Sequence, residues 1–267
     1  MSWEGNVSDE QLRIGDFAFS SRLLTGTGRH RSAEELIASL EASGAEVVTV
    51  AIRRLNLESP NEKTILDVID PDRYTILPNT AGCATADEAL MVARLARSLG
   101  LPNWVKLEVI PDTKYLLPDP VGTLEAAKAL IADGFTVLPY IHADPVLARR
   151  LEDVGCATVM PLGSAIGSGR GIHTVEEISI IIEQCSVPVI VDAGLAVPSH
   201  ASMAMEMGAD AVLVNTAIAR AQSPAQMAEA FKWGVVAGRK AYLAGRIEPQ
   251  AYAQASSPLQ GMIQATN

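Results

Sequence analysis

Three observations predict a (β/α)8 barrel, the TIM-barrel class of α/β fold. Eight short apolar, β-branched runs recur along the chain, at 22–25, 47–52, 75–78, 105–110, 136–141, 158–162, 188–192 and 211–215. A helix-like segment follows nearly every run, the alternation of a parallel sheet. The 267 residues match the size of eight such units. An open doubly wound sheet is the alternative, but no Gly-x-Gly-x-x-Gly follows the first strand. Thr25-Gly26-Thr27-Gly28 is too short a match.

The predicted helices are Ala33–Ser43, Ala86–Leu99, Leu124–Asp133, Pro145–Val154, Val175–Gln184, Ser199–Met207 and Pro224–Gly238. Thr85 before Ala-Asp-Glu and Thr174 before Val-Glu-Glu read as polar caps with acids in the first turn. Gly44-Ala45 and Gly208-Ala209 end helices just before a strand begins. The whole chain, 1–267, is expected to form one barrel domain. A short N-terminal extension (1–13) precedes it, and the tail Arg246–Asn267 is expected to be mobile until a ligand binds.

Composition excludes several classes of function. With 31 acidic and 21 basic residues the net charge is −10, and no basic run is present. Nucleic acid and anionic membrane surfaces are therefore not expected partners. No apolar stretch approaches the ~20 residues needed to span a bilayer. The N-terminus does not read as a signal peptide. Cys83, Cys156 and Cys185 show no Cys-x-x-Cys spacing, so a reducing cytoplasm fits better than a disulfide framework or structural zinc. Cys83 reads as a small buried residue. His30, His142, His173 and His200 lack ligand spacing, so no metal site is expected, and no cofactor.

Lys106 carries the strongest clue to chemistry. It lies inside Trp104-Val105-Lys106-Leu107-Glu108-Val109-Ile110, where strand alternation places Val105, Leu107 and Val109 on one face and Lys106 with Glu108 on the other. An amine among low-dielectric walls is expected to have a depressed pKa and to attack a carbonyl as a nucleophile. Glu108 is then placed to act as general acid or base. A purely structural Lys106–Glu108 ion pair is the bland alternative, a poor one because burying two charges is costly.

Glycine-rich segments fall where the last three strands end. Pro161–Gly171 follows the sixth, Asp192-Ala193-Gly194-Leu195 ends the seventh and Asn215-Thr216-Ala217-Ile218-Ala219 ends the eighth. Barrels commonly bind phosphate there, because such loops bring backbone N–H groups close to an anion. Asp192 is the first charged residue after Val187–Val191 and becomes the third candidate. Arg53-Arg54 and Arg170 could serve either an anion or the barrel rim.

At these residues the chain resembles the bacterial thiazole synthases, which build the thiazole phosphate half of thiamine. Matching segments include Ala51-Ile52-Arg53-Arg54-Leu55-Asn56, Leu77-Pro78-Asn79-Thr80-Ala81-Gly82-Cys83, Trp104–Ile110, Met160–Ser164, Ile166–Ile172 and Val214–Ala219. The resemblance runs from Leu24 to about Gly245. It implies a TIM barrel in which Lys106 forms a Schiff base with 1-deoxy-D-xylulose 5-phosphate. Gly167, Ala193, Gly194, Asn215 and Thr216 would bind that sugar phosphate, and Glu108 and Asp192 would move protons. Sulfur would come from a thiocarboxylated, ubiquitin-like sulfur carrier protein, and dehydroglycine would close the ring. A homo-oligomer, dimer or tetramer, is expected on the same ground.

The chain departs from the family pattern at Gly28-Arg29-His30, Pro111, Ala165 and Gly194–His200. All lie near the rim, so they bear on contacts with carrier and imine rather than on Lys106. Two rival readings use the same residues. One is a Schiff-base aldolase-like lyase on a sugar phosphate; the other is a non-catalytic barrel that docks a carrier.

Overall fold

The structure is a computed structural model that describes residues 9–55 and 64–254. The chain opens with a hairpin, β1 (Leu12–Ile14) and β2 (Phe17–Phe19), paired antiparallel around Gly15-Asp16. Eight parallel strands follow: β3 (Leu23–Gly26), β4 (Val47–Ala51), β5 (Thr75–Asn79), β6 (Trp104–Leu107), β7 (Thr136–Ile141), β8 (Met160–Pro161), β9 (Ile190–Asp192) and β10 (Ala211–Val214). They are ordered β8-β7-β6-β5-β4-β3-β10-β9. Parallel bridges Val159–Val189 and Leu162–Asp192 join the two ends, so the sheet closes into the predicted barrel.

The helices are α1 (Ala33–Ser43), α2 (Ala86–Ser98), α3 (Pro120–Ala132), α4 (Pro145–Asp153), α5 (Val175–Gln184), α6 (Pro198–Glu206), α7 (Thr216–Ala219) and α8 (Pro224–Ala244). Local chemistry explains most starts. Ser32, Thr85, Asp119 and Asp144 accept backbone N–H bonds as caps, and proline opens α3 and α4, where its missing N–H costs nothing. The Thr174 side chain is not a cap: its hydroxyl donates to the Leu162 carbonyl at 3.3 Å, tying α5 to the end of β8 instead. Gly44, at φ 60°, ends α1 in the left-handed conformation that a side chain disfavours.

Several boundaries differ from expectation. Helix α3 starts four residues earlier, because Asp119 and Pro120 form a stronger start than the apolar pattern that begins at Leu124. Helix α8 continues to Ala244, past Gly238, which is buried where a Cβ would press on the Ser202 backbone of α6. The sixth strand shrinks to two residues, flanked by isolated bridges. The end of the Ala51–Asn56 motif, Lys63, residues 1–8 and tail residues 255–267 lie outside the described residues. Residues 246–254 of the tail are exposed and irregular.

The strand period sorts the core. Outward-facing Val105, Leu107, Val137 and Ile141 pack with Ala93, Ala126, Ala127 and Leu130 of the helices. Inward-facing Leu24, Val47, Leu77, Trp104, Leu138 and Ile190 pack with Leu12, Ile14 and Phe19 of the hairpin. Gly15 abuts Thr136 at the start of β7, and the Ser20 N–H donates to Glu46 just before β4. The hairpin therefore closes the amino-terminal mouth, and polar chemistry is confined to the carboxyl ends. Trp104 is the centre of that seal: it is 1% exposed, its indole N–H donates to the Ile76 carbonyl at 2.8 Å, and its ring lies 4.4 Å from that of Phe17. Trp104→Ala is expected to cost about 3–5 kcal/mol in urea unfolding, whereas Val146→Ala on the exposed face of α4 should change stability by less than about 0.5 kcal/mol.

Candidate active site

Strand β6 runs with Trp104 and Lys106 inward, and the same alternation continues past the strand to Glu108. Lys106 lies in register with Asn79 on β5 and Leu138 on β7. Its Nζ is 2.6 Å from Asp192 Oδ2 and 3.3 Å from Glu108 Oε1. All three residues are at most 5% exposed. Thr80 anchors Glu108 from the neighbouring strand end: its hydroxyl accepts the Glu108 N–H at 2.7 Å and donates to the Glu108 carbonyl at 2.8 Å. Asp192 ends β9, and its carbonyl accepts the Gly163 N–H at 3.0 Å. The carboxylates thus come from separate parts of the chain and converge on one amine.

This environment reverses the expectation of a depressed lysine pKa. Burial alone disfavours the ammonium, but the charges of Asp192 and Glu108, with the hydrogen bonds they accept, outweigh it and raise the Lys106 pKa above its ordinary value. The expectation counted low-dielectric walls and one carboxylate. Asp192, far away in sequence, tips the balance. Glu108 is also raised: burial pushes it up, Lys106 pulls it down and Asp192 repels its charge. In the resting site Lys106 is an ammonium, while Glu108 keeps its proton to higher pH than an ordinary carboxyl.

The three glycine-rich loops meet beside this cluster. The Gly171 N–H donates to the Gly194 carbonyl at 2.8 Å, and the His173 N–H to the Gly163 carbonyl at 2.9 Å. Thr216 approaches Gly167: a Cβ on Gly167 would lie 3.8 Å from Thr216 Cγ2. Ala193 has φ 64°, unusual for a residue with a side chain, and Gly194 follows at 77°. A Cβ on Gly194 would collide with Ser164 Oγ, so glycine is required where the seventh loop passes the sixth. The Asn215 carboxamide faces the first loop; assigned with its nitrogen toward the carbonyls there, it donates to Gly28 at 2.9 Å and Gly26 at 3.2 Å. Of the variant rim residues, His200 accepts the Ala196 N–H on Nδ1 at 3.1 Å and its ring packs against Gly171.

The remaining candidates separate by location. Arg53 pairs with Glu88 at 3.1 Å and donates to the Gly82 carbonyl, which makes it a rim brace. Cys83 is fully buried, and burial raises its thiol pKa despite nearby Arg53. Two inward residues were missed. Asn79 ends β5 beside Lys106, and Tyr140 on β7 carries a ring centroid 5.5 Å from Lys106 Nζ. The period-two count that paired Lys106 with Glu108 finds both, counted from Leu77 and Leu138. Neither stands out in sequence, because neither carries a charge.

Comparisons with known proteins agree on one family. The family model for thiazole biosynthesis protein ThiG matches residues 13–258. A thiazole synthase of Syntrophobacter fumaroxidans is 62% identical over 255 residues, covering 96% of this chain and 99% of that protein. The bifunctional protein ThiO/ThiG of Trichormus variabilis is 58% identical over 261 residues; the alignment takes in 96% of this chain but only 40% of that longer protein. Among solved structures, the Amycolatopsis orientalis BexX/CysO complex aligns with a TM-score of 0.82 at 36% identity, over 91% of this chain and 100% of that one. Matched by that family model over most of its length, and 62% identical to a thiazole synthase that it covers almost entirely, the chain belongs to the ThiG family of thiazole biosynthesis proteins.

Proposed function

We propose that this chain is a thiazole synthase of thiamine biosynthesis, acting on 1-deoxy-D-xylulose 5-phosphate through a Schiff base on Lys106. The observation that carries the reading is a buried lysine held between two carboxylates, with three glycine-rich loops beside it. Gly167, Ala193, Gly194, Asn215 and Thr216 would hold the phosphate, through backbone groups of the sixth, seventh and eighth loops. Asn215 serves there chiefly by bracing the first loop, since its carboxamide is already engaged.

Geometry supports distinct roles for the two carboxylates. Lys106 must lose a proton before it can attack, and Asp192 at 2.6 Å is its immediate acceptor. The neutral amine adds to the ketone carbon, forming a C–N bond as the carbonyl π pair moves to oxygen. Two of the three ammonium protons then leave with that oxygen as water, and the iminium keeps the third. Glu108, whose raised pKa suits it to donate, protonates the departing hydroxyl and is recharged by the proton held on Asp192. The iminium acidifies the adjacent carbon, so the same pair can shift the carbonyl along the sugar. The family resemblance supports the later steps: sulfur from a thiocarboxylated, ubiquitin-like sulfur carrier protein, ring closure with dehydroglycine, and a homo-oligomer of two or four chains.

Borohydride reduction of the protein with 1-deoxy-D-xylulose 5-phosphate should leave a sugar-phosphate adduct on the peptide containing Lys106, read by mass spectrometry. Lys106→Ala should leave none; an adduct elsewhere, or none on folded wild type, would overturn the reading. Asp192→Asn should slow adduct formation about 100-fold or more at neutral pH, because the proton acceptor is gone.

Glu108 makes a prediction about stability. Its folded pKa lies above its unfolded value, so the folded state binds the extra proton and wild-type stability falls as pH rises from about 4.3 to the folded pKa. Glu108→Gln removes that titration. The variant should gain on wild type in thermal stability between pH 4 and pH 8, and a constant difference across that range would contradict the raised pKa.

A further inference from the structure

The Tyr140 hydroxyl is a buried polar group for which the fold itself supplies no use. Tyr140 is fully buried, and its hydroxyl has no hydrogen-bond partner among the described residues. A phenylalanine would fill the same space without that cost. Tyr140 shares one apolar cluster with Ile110, just past β6, Leu162, just past β8, and Ile166 and Ala193 in the sixth and seventh loops. Its other neighbour is the catalytic cluster, with Lys106 Nζ 5.5 Å from the ring centroid. Tyr140 therefore stands between the amine and the loops proposed to take the phosphate. Burial, with the charges of Asp192 and Glu108, raises the phenol's pKa, so the group stays protonated and acts as a hydrogen-bond donor rather than a base.

We propose that Tyr140 is a further catalytic residue, whose hydroxyl donates a hydrogen bond to the ketone oxygen of the sugar phosphate as Lys106 adds to it. The assignment rests on the Schiff-base reading above. As the C–N bond forms, the carbonyl π pair moves to the oxygen and the Tyr140 hydrogen bond supports its growing negative charge. The phenol keeps its proton. The oxygen takes its two protons from the lysine nitrogen and from Glu108, then leaves as water. Buried away from water, that bond is stronger than it would be in solution.

Tyr140→Phe tests the proposal, because it removes one oxygen from a well-packed site and leaves every apolar contact in place. The variant should unfold at a temperature no lower than wild type, and its rate of borohydride-trapped adduct formation with 1-deoxy-D-xylulose 5-phosphate should fall about 100-fold. An unchanged trapping rate would overturn the role. Binding of the same sugar phosphate, measured by calorimetry in the Lys106→Ala background where no imine can form, supplies a second readout. Adding Tyr140→Phe there should weaken affinity about fivefold, and equal affinities would overturn the contact. Should wild type trap no adduct at all, the Schiff-base reading falls while the binding comparison still decides whether Tyr140 touches the ligand.

Discussion

The ion pair between Lys106 and Asp192 is the constraint on which the site depends. Two charges removed from water are stable only when geometry and further hydrogen bonds compensate for lost hydration. Here the compensation comes from two carboxylates on one amine, with Thr80 fixing the backbone of the second. Strands β6 and β9 are not neighbours in the sheet, so only a closed barrel brings Lys106 and Asp192 together across its interior. The cluster therefore exists only in the closed barrel.

The two ends of the barrel divide the work. At the amino-terminal mouth the β1–β2 hairpin and Trp104 form an apolar seal that keeps water from reaching the cluster from below. At the carboxyl mouth the loops are braced by their own backbone, Gly171 to Gly194 and Gly163 to Asp192, and by the His200 side chain, which accepts the Ala196 N–H of the seventh loop. The left-handed backbone of Ala193 belongs to this arrangement, since strain of that kind persists only where the surroundings over-determine it.

Much of the fold was legible because two simple periods recur. The eight apolar, β-branched runs correspond to β3–β10, and seven helices lie where the longer patterns suggested. The hairpin was not, since Leu12–Phe19 is short and carries Arg13 and Asp16 between its apolar residues. Its role as a plug comes from long-range packing against Trp104 and Leu138. The four-residue α7 was likewise hidden inside a segment read only as a loop.

For the site, alternation alone placed Lys106 and Glu108 on one face, and glycine content marked the three loops. Those features are local, and a local pattern survives in a linear sequence. The protonation of Lys106 is not local. It depends on Asp192, 86 positions away in the chain yet 2.6 Å away in space, and its charge outweighs a burial penalty that composition and period could foresee. Tyr140 follows the same rule: period two assigns its face, but only packing leaves its hydroxyl buried, unpaired and beside the amine. The sequence by itself determined the eight barrel strands, their faces and the glycine-rich loops at their carboxyl ends. Tertiary structure decided which charges meet, because electrostatic energy depends on distance through space and on the loss of water, neither of which a sequence pattern records.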